Sequence, residues 1–300
     1  MDLQAYLAAE KREADVRLAE MADSWRVNFA VGTGLADAMH YSLTAGGKRI
    51  RPILAMASYR ACGGGDERAW RGALALELIH TYTLIHDDLP SMDDDDYRRG
   101  MPTCHRSYGV RTATLAGSGL QLAAFEELSG CCRELELDAG SSAAVVADVA
   151  SAVGGGGVVG GQIVDLESER RKIGRDTLHY IHSHKTAALL RVSCTLGGRL
   201  AGAEDHKVAA LAAYGEDIGL AFQIVDDLLD VEGNSAELGK TAGADQARGK
   251  ATFPVLYGMD ESRRLAAEAV ERACSRLNGA RLDPHGVLSA LAGFILERSS

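Results

Sequence analysis

The chain has 300 residues, 46% hydrophobic and 25% charged, with a net charge of −10. That composition is ample for a globular core, and the acidic balance excludes a nucleic-acid partner, which needs a broad basic surface. Six cysteines (Cys62, Cys104, Cys131, Cys132, Cys194, Cys274) show no CxxC pair and no zinc spacing, the pattern of free thiols in a reducing cytosol.

Only 5 prolines interrupt a background rich in Ala, Leu, Glu and Arg, so propensity points to helix. The opening MDLQAYLAAEKREADVRLAEM alternates charged and apolar residues at helical spacing, unlike a signal or transit peptide. No stretch approaches the roughly 18 uncharged apolar residues of a membrane span, so the expectation is a cytoplasmic protein with no membrane partner. GGKRIRP then places Lys48, Arg49 and Arg51 beside a glycine pair. The next segment, LALELIHTYTLIH, repeats apolar residues every three or four positions, a helix, and runs into HDDLPSMDDDD at His86–Asp96. Pro90 stops that helix just after Asp88. Asp87 and Asp88 then sit on its last turn, and the loop can carry Asp93 back toward them.

Further along, Gly154–Gly161 lacks the GK[ST] ending of a phosphate loop and is read as a place of close backbone packing. HSHKT carries His182, His184 and Lys185; two histidines two apart on a helix diverge. A second apolar run, AFQIVDDLLDV, holds Asp226, Asp227 and Asp230. Asp226 and Asp230 share one helix face, about 6 Å apart along the axis. A polar loop with Lys240 and Lys250 follows. The whole reads as one all-α domain over 1–300, on the order of ten helices. Its two aspartate-bearing helices could face each other across a central cavity.

The chemistry lies in those aspartates. Like charges crowded beside an apolar face resist ionisation unless a cation neutralises them. A carboxylate at a helix C-terminus also meets the negative end of the dipole, which a bound cation offsets. Hard oxygens used one or two at a time suit Mg²⁺ bound jointly with a phosphate-bearing substrate. Arg49, Arg51, Arg98 and Arg99 could fork onto phosphate oxygens, with Lys48, Lys185, Lys240 and Lys250 as point charges.

These motifs, with GGQ at Gly160–Gln162 and GKTAGADQARGKATFP, resemble the trans-isoprenyl diphosphate synthases, in particular the bacterial short-chain farnesyl and geranylgeranyl enzymes. The resemblance runs from about 46 to 258 in the family's order. It implies the isoprenoid synthase fold, a homodimer, and chain elongation in which an allylic diphosphate ionises and isopentenyl diphosphate attacks. It implies that Asp87, Asp88, Asp93, Asp226, Asp227 and Asp230 hold about three Mg²⁺ ions, with Mn²⁺ a substitute. Lys48, Arg51, His80 and Arg99 match the isopentenyl diphosphate site. Arg98, Lys185, Thr186, Gln223, Lys240 and Lys250 match the allylic site, where Thr186 and Gln223 offer oxygens to a cation. The chain departs from the family pattern at Ser118, Gly119 and Ala187, none of them a ligand position.

Product length is expected to depend on Tyr82 and Thr83. Tyr82 precedes Asp87 by five residues, about 7–8 Å along a helix, where its ring should block a growing tail early. The resemblance implies that an aromatic residue here goes with a fifteen-carbon product, and Thr83 is too small to obstruct. Farnesyl diphosphate is therefore the expected product and geranylgeranyl diphosphate the alternative. A class I terpene cyclase would lack GGKRIRP and the second DDxxD, and a non-catalytic partner subunit would lose an aspartate motif.

Overall fold

The computed structural model describes residues 2–28, 33–168, 171, 173–233 and 252–297. The apolar periodicity resolves into fourteen α-helices among these residues, sorted into two compact units.

One unit comprises Asp2–Ile53 and Asp66–Asp138. It contains α1 (Leu3–Asn28), α2 (Thr33–Thr44), the first residues of α3 (Ile50–Ala61), α4 (Ala69–Asp87), α5 (Cys104–Tyr108) and α6 (Val110–Glu134). Between α4 and α5 lie two short antiparallel strands, β1 (Tyr97–Arg98) and β2 (Met101–Pro102), a hairpin that the helical pattern did not foretell. Helix α4 is buried continuously from Leu74 to Ile79. Helix α6 packs against it, and its buried residues include the small Ala113, Ala116, Gly117 and Ala124. A Cβ at Gly117 would overlap the His86 imidazole, and one at Gly130 would overlap the Arg71 guanidinium. Arg71 in turn spans to Glu127 at 2.7 Å. Gly119, one of the family departures, leaves room for Met39, whose Sδ would lie 2.9 Å from an added Cβ.

Toward its C-terminus α4 opens to solvent along one stripe. His80, Thr83, Leu84 and Asp87, at i, i+3, i+4 and i+7, are all half-buried, as residues on one helix face should be. Arg49 does not join the accessible basic residues. It is buried, donating to Glu77 Oε1 at 2.7 Å, Asp15 Oδ1 at 2.8 Å and the Leu43 carbonyl at 2.9 Å. The reading of Arg49 as part of a phosphate site is thereby corrected, because its donors are spent on internal carboxylates. Arg49→Met should destabilise the protein by about 3–5 kcal/mol, since it strands the buried Glu77 charge. Arg49→Met/Glu77→Met should cost less. Chemical denaturation of both variants checks the pair.

The other unit comprises Leu54–Gly65 and Ala139–Ser300. Its elements are the rest of α3, then α7 (Ala139–Val153), α8 (Val158–Ser168), α9 (Arg175–Ile181), a π-helical turn (His182–Ala187), α10 (Ala188–Leu200) and α11 (Asp205–Glu232). After these come α12 (Phe253–Tyr257), α13 (Met259–Gly279) and α14 (Val287–Glu297). Helix α11 packs against α10, α13 and α14. Gly215 and Gly219 bring it close: a Cβ at Gly215 would lie 2.5 Å from Arg191 Cα, and one at Gly219 2.5 Å from the Ala187 methyl. The methyl of Ala187, another departure from the family pattern, is thus accommodated by a glycine opposite. The Tyr214 hydroxyl, fully buried, donates to the Leu288 carbonyl at 2.8 Å.

The expectation about apolar stretches needs correcting. Two segments, 139–168 and 205–232, are long and apolar enough by length and composition to cross a membrane. The first is broken between α7 and α8 at Gly154–Gly157. The second carries Asp226, Asp227 and Asp230, and half of its apolar window is buried.

Candidate functional site

The last turn of α4 sets the first aspartate cluster. Asp88 closes the helix in αR geometry, and the chain then doubles back. The Asp93 amide donates to the Asp87 carbonyl at 2.8 Å, and the Asp94 amide to the Leu89 carbonyl at 3.1 Å, so Asp93 stays beside Asp87. Asp88 has another attachment. It is buried in the fork of Arg98, whose Nε lies 2.7 and 2.9 Å from the two carboxylate oxygens. Burial pushes the Asp88 carboxyl up, Arg98 pulls it down, and Asp95 and Asp93 add repulsion. Asp87 is left on the accessible stripe of α4.

The hairpin sets the basic residues. Arg99 and Gly100, the two turn residues, both have positive φ, 55° and 77°, the I′ geometry that suits a two-residue hairpin. The turn directs Arg99 to the Gly46 carbonyl and lays its guanidinium on Gly47, where an added Cβ would come within 2.8 Å of Cζ. The glycine pair of GGKRIRP therefore makes room for an arginine. Burial lowers the Arg99 pKa, Arg49 and Arg98 lower it further, and Glu77 opposes them. His80 is held well below its ordinary value by burial and by Arg51, Arg99, Arg98 and Arg49, so its imidazole is neutral at physiological pH. A crowded set of guanidinium groups around a neutral imidazole favours an anion. Lys48, next to Arg49 in the chain, is exposed.

In the other unit the π-helical turn carries HSHKTA, an irregularity frequent at functional positions. A Cβ at Gly161 would overlap the backbone of Lys185, so α8 lies directly on this turn. Lys185 Nζ pairs with Asp165 at 2.6 Å, an acidic residue the sequence reading passed over; its one signal was a carboxylate three positions after Gln162 on an apolar helix. The Thr186 hydroxyl donates to Gln223 Oε1 at 2.8 Å, and Gln223 Nε2 donates to Asp227 Oδ1 at 3.0 Å. The Phe253 amide donates to Asp227 Oδ2 at 2.9 Å. His182 is buried near Asp227, and His184 bonds the Tyr180 carbonyl at 2.8 Å, so the two histidines do diverge. Asp226 and Asp230 follow one another on α11, the first half-buried and the second buried. Lys240 and Lys250 lie outside the described residues.

Tyr82 stands off the accessible stripe. It is buried, its ring edge-on to His86 at 5.8 Å, while His86 Nε2 lies 3.0 Å from the Thr114 carbonyl of α6. Its phenol is pushed up to about 12 by burial and by Asp87, and its hydroxyl has no hydrogen-bond partner. Thr83 is the residue of the pair that lies on the Asp87 face.

Among the described residues no three His, Cys, Asp or Glu side chains gather in a cage that could hold a metal ion. The carboxylates come as neighbours, Asp87 with Asp93 and Asp226 with Asp230. That fits Mg²⁺, which keeps waters and takes one or two carboxylates plus substrate phosphates.

The sequence model described as Polyprenyl synthetase matches residues 33–279. The chain belongs to that family. A geranylgeranyl diphosphate synthase of Cyanophora paradoxa is 45% identical over 270 residues, covering 89% of each chain. The farnesyl diphosphate synthase of Escherichia coli K12 is 42% identical over 271 residues, 89% of this chain and 90% of that one. The crystal structure of an FPP/GFPP synthase from Zymomonas mobilis matches with a TM-score of 0.85 at 33% identity, covering 98% of this chain and 99% of that one. This polyprenyl synthetase has the isoprenoid synthase fold and is a short-chain trans-prenyltransferase.

Proposed function

We propose that the enzyme condenses isopentenyl diphosphate with allylic diphosphates, starting from dimethylallyl diphosphate, and that its main product is geranylgeranyl diphosphate. Lys48, Arg51, Arg99 and neutral His80 bind the isopentenyl diphosphate. Arg98, Lys185, Thr186, Gln223, Lys240 and Lys250 serve the allylic partner. Asp87, Asp93, Asp226 and Asp230 would hold Mg²⁺, with Asp88 and Asp227 backing them. Bound Mg²⁺ supplies positive charge to a departing diphosphate. The allylic C–O bond breaks and its electron pair leaves with the diphosphate. The isopentenyl double bond attacks the cation; the new cation then gives a proton to the released diphosphate, and the C–H electron pair forms the new alkene. Lysine and arginine steady the departing charge, and exclusion of water keeps the cation from being quenched.

One observation carries the product length. The accessible stripe of α4 that bears Asp87 bears Thr83 and Leu84, while Tyr82 is turned to His86. A tail growing along that stripe meets a threonine, not a phenol. Relatives named as geranylgeranyl synthases are also at least as frequent as farnesyl ones. The second reading, farnesyl diphosphate, draws on Tyr82 as a buried aromatic one turn below the aspartates. Chromatography of dephosphorylated products separates the two. The expected result is a twenty-carbon main product, unchanged in Tyr82→Ala and shortened to fifteen carbons in Thr83→Phe. A fifteen-carbon product that lengthens in Tyr82→Ala would establish the farnesyl reading instead.

The unbroken match over 33–279 supports one synthetase domain over 1–300. Leu115 and Leu122, 61% and 68% exposed on α6, support a homodimer through that face. The free thiols fit a cytoplasmic location.

A further inference from the structure

The geometry points to Asp227 as a positioning residue for Thr186, acting through the Gln223 amide; the inference rests on the allylic role proposed for Thr186. Asp227 belongs to the DDLLD motif, yet its side chain is 3% exposed and each carboxylate oxygen accepts a protein hydrogen bond. Oδ2 takes the Phe253 amide at 2.9 Å and Oδ1 takes Gln223 Nε2 at 3.0 Å. An ionised carboxylate accepts and cannot donate. It therefore fixes which way the Gln223 amide points, since the flipped amide would set oxygen against oxygen. With nitrogen toward Asp227, Gln223 Oε1 faces the Thr186 hydroxyl at 2.8 Å. Thr186 has one proton to give, and it gives it to Gln223.

What Thr186 can then present elsewhere is lone-pair density. A hydroxyl whose proton is committed can turn only the negative end of its dipole toward a developing allylic cation, with no reorganisation at the moment of reaction. Without Asp227 the amide can flip, the hydroxyl rotor is released, and its proton can point at the cation.

The anchor is rigid on the far side as well. Phe253 is fully buried, stacked on His182 at 5.3 Å and 25° and on Tyr257 at 5.4 Å and 20°, so its amide is a fixed donor. Tyr257 is tied back by its hydroxyl to His179 Nε2 at 3.0 Å. At the near end the π-helical turn holds Thr186 against α11, where Ala187 rests on Gly219, one turn before Gln223.

The experiment measures single-turnover rates of the full-length enzyme across a Mg²⁺ titration for Asp227→Asn, Gln223→Met, Thr186→Val and Thr186→Val/Asp227→Asn. Each single variant should lose about a hundredfold in rate at saturating Mg²⁺, with the Mg²⁺ midpoint within about twofold of wild type. The double variant should be no more than about threefold slower than Thr186→Val. Recovery of Asp227→Asn in excess Mg²⁺ would make Asp227 a metal ligand and overturn the relay, as would losses that multiply in the double variant. A normal rate in Thr186→Val overturns the allylic role itself. If Asp227→Asn does not fold, Gln223→Met carries the test: its loss must match that of Thr186→Val and not multiply with it.

Discussion

Asp87→Ala or Asp226→Ala should each lower turnover by about three to five orders of magnitude, and EDTA should abolish it. The expectation follows from how the carboxylates are held. Asp87 lies on the accessible stripe of α4 with Asp93 returned beside it by a backbone hydrogen bond, so both can share a dication with substrate oxygens. Asp88 is different, since its carboxylate is already in the Arg98 fork. Asp88→Asn should weaken the Arg98 anchor and cost less than loss of Asp87. In an acidic protein, two carboxylate clusters repel a diphosphate unless a cation intervenes. Steady-state rates in chelated and Mg²⁺-restored buffer make the measurement, and near-normal turnover in EDTA would sink the metal-assisted mechanism.

Arg51→Ala should raise the Michaelis constant for isopentenyl diphosphate by about ten- to a hundredfold, the loss of one charge-assisted phosphate contact. The allylic constant should stay within about twofold. Lys240→Ala should do the reverse. The physical basis is the company Arg51 keeps: it belongs to the electrostatic group that depresses His80, together with Arg99 and Arg98, and that group favours an anion of its own. Initial rates with each substrate varied in turn decide it. Equal impairment of both constants by both variants would dissolve the division into two sites while leaving the reaction intact.

Much of this was legible in the chain because it depends on neighbours within a turn or two. Helical spacing before each aspartate cluster, the stop at Pro90, the shared face of Asp226 and Asp230, and the divergence of His182 and His184 are consequences of local geometry. The return of Asp93 toward Asp87 needed only a short loop after a proline. Motif order was enough to suggest the family. Partners were another matter. Arg49 and Arg51 look alike in GGKRIRP, yet Arg49 is taken by Glu77 and Asp15 because α1 and α4 bring those carboxylates to it. Arg98 goes to Asp88, and Lys185 goes to Asp165 on α8. Spacing alone puts Thr83, four residues before Asp87, on its face and Tyr82, five before, off it; that the Asp87 face stays open is decided by packing, with α6 against the side that carries His86. The π-helical turn and the chain from Phe253 through Asp227 and Gln223 to Thr186 likewise exist only once separate helices meet. Spacing along one helix determines which side chains share a face; which of them is spent on a buried partner, and which remains for substrate, is determined by residues far away in sequence.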